Sequence, residues 1–314
     1  MTELKEDANY VNGMRSKLSS YIIETKKSQS QVAKELGISK TTLSMFLTNN
    51  YAGNNNEVAV KAEQYLEMGA VRMALTKEPN ICIELTNTER ILEKTRIAHI
   101  SNDILLIYGP AGCGKTTALK HYANNTNGVI YVEADVTTNS HRSILYLILE
   151  AIGEEIHGST SSMMRFLISK LKGTNQLIII DEAQHLTPKS FDALRALNDK
   201  ANIGIVYSGN PSVLKRMYGT MEEEFDQVHS RIGYHCELNN RYSLDDIGLV
   251  FKSFGVSREC LQYLHKIAQR KGGLRIMVKQ YKLAANIATA LNEGLTVTHL
   301  EDAAKRMGIG GLPA

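Results

Sequence analysis

Aliphatic runs and amphipathic stretches alternate along the chain from about residue 81. The runs at 104–108, 128–133, 177–181 and 203–208 read as strands, and the stretches at 88–100, 115–124, 141–152, 160–172 and 188–200 as helices. Leu177-Ile178-Ile179-Ile180 has no polar alternation, as expected of a strand covered on both faces. Strand–helix alternation of this kind predicts an α/β core with a parallel sheet. After Arg241 the pattern is all helical, and Gly272-Gly273-Leu274-Arg275 opens a helix through Ala290 that buries Leu274, Val278, Tyr281, Leu283 and Ala285.

The segment before residue 81 has a different rhythm. Ser28 can cap a helix that stops at Gly37, where a left-handed turn residue is wanted, and Ser39 can cap a second. Val32, Ala33, Leu36, Ile38, Leu43 and Phe46 supply the apolar interior, with Ala33 small enough for two helices to cross closely. This is a helix-turn-helix pattern whose second helix, near 40–48, would turn Lys40, Thr41, Thr42 and Ser44 toward a DNA groove. A helical module serving only protein contacts is the alternative. A turn-rich loop, Asn49 to Asn56, precedes a helical stretch from Glu57 to about Met73. The expected organisation is 1–73 as an N-terminal all-α domain, 74–86 as a linker, 87–235 as the core and 236–314 as a helical lid.

The chemistry concentrates where the first strand ends. Gly109-Pro110-Ala111-Gly112-Cys113-Gly114-Lys115-Thr116 follows Ile104-Leu105-Leu106-Ile107-Tyr108, a strand running into a phosphate-binding loop. Its glycines let backbone N–H groups face a polyphosphate, and the helix starting near Lys115 adds the positive end of its dipole. Lys115 would reach the β- and γ-phosphates, and the Thr116 hydroxyl would hold Mg²⁺. Sixty-six residues beyond Lys115, the strand 177–181 ends in Asp181-Glu182. Asp181 can bind the Mg²⁺ water shell and Glu182 can polarise an attacking water. Ile203 to Ser208 leads through Gly209 to Asn210, an amide placed to orient that water if its strand lies beside the loop.

Bulk properties change this picture little. The net charge of +3 says less than its distribution: six Lys/Arg against two Glu lie between Arg15 and Asn50, and seven against Glu259 between Arg258 and Lys282. Two local basic surfaces suit a polyanion, although solvated helix faces read the same way. Cys82, Cys113, Cys236 and Cys260 form no Cys-x-x-Cys pair, which speaks against a metal or disulfide framework. No apolar stretch approaches the ~18 residues of a membrane span, and a soluble protein without membrane partners is expected.

Together the loop, Asp181-Glu182, Asn210, Arg231 and Gly-Gly-Leu-Arg275 resemble the AAA+ ATPases, and with the helix-turn-helix in front the chain resembles the Mu B family of transposition proteins. The likeness runs from about residue 15 to 308 and includes the Tyr51-x-Gly53 turn and Leu-Arg-Ile at 274–276. It implies a P-loop AAA+ core with an all-α lid, and an ATPase stimulated by DNA and transposase. It implies further that the protein binds double-stranded DNA with little sequence preference and forms head-to-tail helical filaments. These would deliver target DNA to a cognate DDE-type transposase in the bacterial host cytosol. ATP and Mg²⁺ are the implied cofactors. Gly109 to Gly114, Lys115, Thr116, Thr117 and Arg275 would surround the nucleotide; Thr116 and Asp181 would serve the metal. Glu182 would drive hydrolysis, Asn210 would sense the γ-phosphate, and Arg231 would act in trans on a neighbour's nucleotide, with Arg216 and Arg241 as nearby alternatives. Cys113 departs from the smaller or aliphatic residue often found in such loops. Core contacts to DNA would follow the second strand at Thr137, Thr138 and Arg142, with Lys189 and Arg195 as weaker candidates. A helicase-loading ATPase and a nucleotide-sensing transcription regulator are the rival readings.

Overall fold

The computed structural model describes residues 2–74, 79, 84–156, 158–218 and 232–309. The chain divides into two compact units, Met1–Lys77 and Glu78–Ala314.

In the first unit, α1 (Thr2–Thr25), α2 (Gln29–Leu36), α3 (Lys40–Leu47) and α4 (Asn55–Ala74) enclose one apolar centre. The local signals act as expected. Ser28 and Gln31 form a capping box at the start of α2, Gly37 ends it at φ 68°, and the Ser39 hydroxyl accepts from Thr42 N to start α3. Leu18, Val32, Leu43, Phe46, Ala59 and Ala62 are sealed from solvent. Long α1 is an addition to the sequence reading. Its Val11, Met14 and Leu18 lie on one helical face and are buried against the shorter helices.

The second unit is built on a five-stranded sheet of β1 (Ile104–Tyr108), β2 (Val129–Glu133), β3 (Leu177–Asp181), β4 (Gly204–Gly209) and β5 (Tyr234–Glu237). Its spatial order is β2-β3-β4-β1-β5 and every pairing is parallel. Alternate strand residues feed opposite layers. Leu105, Ile107, Ile179 and Val206 pack with Ile91, Ala118 and Leu119 of α5 (Thr86–Ser101) and α6 (Lys115–Asn125). Ile104, Leu106, Ile178, Ile180 and Ile205 pack with α7 (His141–Ala151), α8 (Thr160–Leu171) and α9 (Pro188–Ala201). Strand β5 had no counterpart in the sequence reading, and it extends the sheet past residue 235. At four residues, with His235 and Glu237 among them, it lacks an apolar run; pairing with β1 and burial of Cys236 make it a strand.

Beyond β4 come α10 (Ser212–Tyr218) and then four lid helices, α11 (Leu244–Val250), α12 (Arg258–Ala268), α13 (Gly273–Ala290) and α14 (Val297–Arg306). Their centre gathers Phe251, Leu264, Met277, Tyr281, Ala284 and Leu300, with the Phe251 and Tyr281 rings 4.6 Å apart. One carboxylate ties lid to core. Asp246 Oδ1 accepts from Thr86 N (3.1 Å) and Thr86 Oγ1 (3.2 Å), while Oδ2 accepts from Ser243 N (2.8 Å) and Ser243 Oγ (3.0 Å). Among the described residues no helix is long and apolar enough to cross a membrane.

Candidate functional site

The carboxyl ends of β1, β3 and β4 converge, because β4 lies between the other two. Strand β1 feeds the glycine loop, whose Gly112 and Gly114 stand at φ 84° and 90°, a region open to glycine and strained for other residues. Gly114 is the N-cap of α6 and offers no side chain, so the first amides of that helix remain available to an anion. Lys115 is 9% exposed and folds back onto neutral partners, donating to the Gly109 carbonyl at 2.8 Å and the Pro110 carbonyl at 3.0 Å, with Cys113 Sγ at 3.6 Å.

Asp181 is fully buried at the end of β3. Its Oδ2 accepts from the Thr116 hydroxyl at 2.6 Å and the Tyr131 phenol at 3.0 Å, and its Oδ1 from Glu182 N at 3.0 Å. Burial, and then the nearby Asp181 carboxylate, push the Tyr131 phenol up, so it stays a neutral donor. These partners satisfy the carboxylate's hydrogen bonding while leaving its charge in a desolvated place, where a cation is favoured. One carboxylate and one hydroxyl, with room for phosphate and water oxygens, fit magnesium's preference for few protein ligands.

Glu182 is left-handed at φ 54°, ψ 36°, which ends the strand abruptly and begins a tight turn at Ala183–His185. Asn210, just after β4, accepts at Oδ1 from Ser212 N (2.8 Å) and Ser212 Oγ (2.6 Å). Gln184 joins the two acting ends: its Nε2 donates to Glu182 Oε2 and its Oε1 accepts from Asn210 N. The lid closes the other side. Gly272 and Gly273 are both at positive φ, and a β-carbon on Gly112 would run into the Gly272 carbonyl oxygen. The resulting cavity of about 500 Å³ is lined by the loop from Ala111 to Thr117, by Glu182 and Asn210, and by Arg275, Val278 and Lys279.

Lys115, Thr116, Thr117, Glu182, Asn210 and Arg275, singled out from sequence, therefore meet around one cavity, with Asp181 behind Thr116. Gly109 stands further back, its α-carbon packed on Leu238. Arg231 lies outside the described residues. Tyr131, Gln184 and Lys279 were missed. Lys279 follows Arg275 by one helical turn and was legible from that spacing; the other two depend on strand order.

The DNA candidates fare unevenly. Lys40 and Thr41 are exposed and Ser44 half-buried on α3, while the Thr42 hydroxyl is engaged with the Ser39 cap at 2.8 Å. After the second strand the candidates already have partners within the fold. Thr138 is 1% exposed and its hydroxyl accepts from Asp135 N, so it is turned into the fold. Thr137 is held by Asp135, and Arg142 donates to the Gly158 carbonyl, in a groove that also carries Glu133, Asp135 and Glu150. Glu133 pairs with Lys120 at 3.1 Å, and the other two acids, Asp135 and Glu150, outnumber Arg142 there, which disfavours phosphate. Lys189 is exposed, and Arg195 pairs with Asp192 at 3.1 Å.

Residues 99–217 match the family described as AAA domain, and residues 230–307 match the family described as Mu B transposition protein, C terminal. The chain is 31% identical over 271 residues to the Mu-like prophage FluMu DNA transposition protein B of Haemophilus influenzae, covering 85% of this chain and 94% of that protein. It is 28% identical over 305 residues to the ATP-dependent target DNA activator B of Escherichia phage Mu, covering 95% and 96%. Similarity of that depth along nearly the whole length, with both family matches in register with the sheet and the lid, means that the chain belongs to the Mu B family of DNA transposition proteins.

Proposed function

We propose that the protein binds and hydrolyses ATP with Mg²⁺ and uses that cycle to control its hold on double-stranded DNA, which it presents as target to a cognate transposase. The observation that carries the reading is electrostatic. A buried ammonium, Lys115, lines one cavity floored by helix amides, a buried carboxylate, Asp181, stands behind Thr116 of that lining, and the hydrogen-bond partners of both among the described residues are neutral. A triphosphate with its metal supplies the missing counter-charge to both.

In this reading the Lys115 ammonium leaves the loop carbonyls for phosphate oxygens, and the amides from Gly112 to Thr116 hold the rest of the chain of phosphates. Thr116 and Asp181 hold magnesium, which when bound neutralises charge developing on the phosphates. Glu182 accepts the proton of the attacking water, and Asn210 orients that water. Arg275 and Lys279 meet the nucleotide from the lid. Arg231 acts on the nucleotide of the next copy, so ATP favours a head-to-tail assembly, a heterologous contact that forms filaments when its rotation does not close. DNA is held through its backbone, giving salt-dependent and sequence-tolerant affinity, and α3 offers Lys40, Thr41 and Ser44 to it.

The name of the phage Mu relative, an ATP-dependent target DNA activator, supports this reading. The test is electron microscopy of the full chain on plasmid DNA with ATP, with ADP, and with the Lys115→Ala variant. Continuous arrays with ATP alone, absent with ADP and in the variant, are expected. Discrete complexes at one site, indifferent to nucleotide, would overturn the assembly and favour a transcription regulator.

A further inference from the structure

Between the ends of β3 and β4 one amide side chain makes two directed bonds. Gln184 sits in the tight turn after Glu182, where His185 N donates to the Glu182 carbonyl at 3.0 Å and Leu186 N to the Ala183 carbonyl at 3.0 Å. Its Nε2 donates to Glu182 Oε2, and its Oε1 accepts from Asn210 N at 3.2 Å. The orientation of the amide follows from its partners, since the reverse would set the amide oxygen against the carboxylate and N–H against N–H.

The seat of this side chain is built on Gly209. A β-carbon there would stand 2.6 Å from Gln184 Oε1, against 3.3 Å from Val213 Cβ and 3.4 Å from Gln184 N. Gly209 is not at positive φ, so its backbone does not require glycine, and the nearest obstacle to a side chain there is the tip of Gln184. The Gly209 carbonyl in turn accepts from Gly109 N at 3.3 Å, at the start of the phosphate loop. One side chain thus touches the residue that activates water and the backbone of the residue that orients it, and rests on the strand end bonded to the phosphate loop.

We infer that Gln184 is a positioning residue that holds the Glu182 carboxylate in register with Asn210, so that the two act on one water; this rests on the roles given to Glu182 and Asn210 above. Gln184 does not line the nucleotide cavity. Its loss should therefore act on turnover and not on binding.

The experiment uses the full chain with Gln184→Met, which keeps length and packing and removes both bonds. Turnover of ATP is expected to fall about tenfold or more, as for a lost hydrogen bond to a charged group. The dissociation constant of a fluorescent ATP analogue and the KM should stay within about twofold. Gly209→Ala should do the same by displacing the glutamine. Gly209→Ala should lower the unfolding midpoint less in a Gln184→Ala background than in the wild type, a readout independent of ATP. Asn210→Ala should lose much of its effect on turnover in the Gln184→Met background. Wild-type turnover in Gln184→Met, a deficit carried by weaker nucleotide binding, or a Gly209→Ala effect on the midpoint as large in the Gln184→Ala background as in the wild type would each overturn the inference. Glu182→Gln serves as the control: if it leaves turnover intact, the site reading has failed with it, whereas loss of turnover there beside normal Gln184→Met refutes the role of Gln184 alone.

Discussion

Asp246 offers the most quantitative test of how the lid is held. Its carboxylate, 5% exposed, accepts two bonds from Thr86 and two from Ser243, and its own N–H donates to Ser243 Oγ at 3.0 Å. Burial alone would raise its carboxyl, but the backbone and hydroxyl donors of Ser243 and Thr86 outweigh burial and hold it below its ordinary value. Asp246→Asn keeps the shape while placing an NH₂ against at least one pair of donors. Hydrogen bonds to charged groups contribute ~1.5–3 kcal/mol each, and an orphaned buried donor is penalised by ~1–3 kcal/mol. Because these bonds share one carboxylate they do not add fully, and a net loss of about 3 kcal/mol is expected. For a unit of this size that is roughly 6–12 °C in midpoint.

The pH dependence has a defined sign. A carboxyl whose folded pKa lies below its unfolded value stabilises fully above the unfolded value, near 3.8 here, and that contribution is lost as pH falls through the folded pKa. Urea unfolding of wild type and Asp246→Asn at pH 7 and at several points below pH 5 reads this directly. The difference should be largest at pH 7 and should narrow once pH drops beneath about 4. A gap under about 1 kcal/mol at pH 7, or one that widens in acid, would refute the clamp.

Gly112→Ala should weaken binding of a fluorescent ATP analogue at least tenfold, because φ 84° is costly for alanine by roughly 1–2 kcal/mol and the β-carbon meets the Gly272 carbonyl; unchanged affinity would rule out the tight loop–lid contact. Glu182→Gln should retain nucleotide affinity while hydrolysis falls ~100-fold or more, the scale of a lost general base, as read by phosphate release. Phe46→Ala empties the centre of the first unit, where the ring is fully buried and the Arg15 guanidinium lies 4.9 Å from its centroid. A loss of ~3–5 kcal/mol is expected, seen as early proteolysis within residues 1–77 with ATP-analogue binding preserved.

What could be read from the chain alone is what lies close together along it. The phosphate loop is a run of eight residues, its strand and helix are adjacent, and Ser28, Gly37 and Ser39 mark helix ends by their own side chains and backbone freedom. Four aliphatics before Asp181 announce a central strand for the same local reason. Strand order is a different matter, because periodicity records which face is buried and not which strand is next to which. Only the placement of β4 between β1 and β3 brings Asn210 to Gln184, and only the pairing of β2 with β3 brings Tyr131 to Asp181. The Thr86–Asp246 clamp spans 160 positions, and β5 is a strand because β1 offers it a partner. Thr138 makes the same point in reverse: its residue type suits a surface contact, but the Asp135 turn carries it inside. Side chains near in space and far in sequence leave no local signature, so the tertiary fold alone decided which polar groups would face one another.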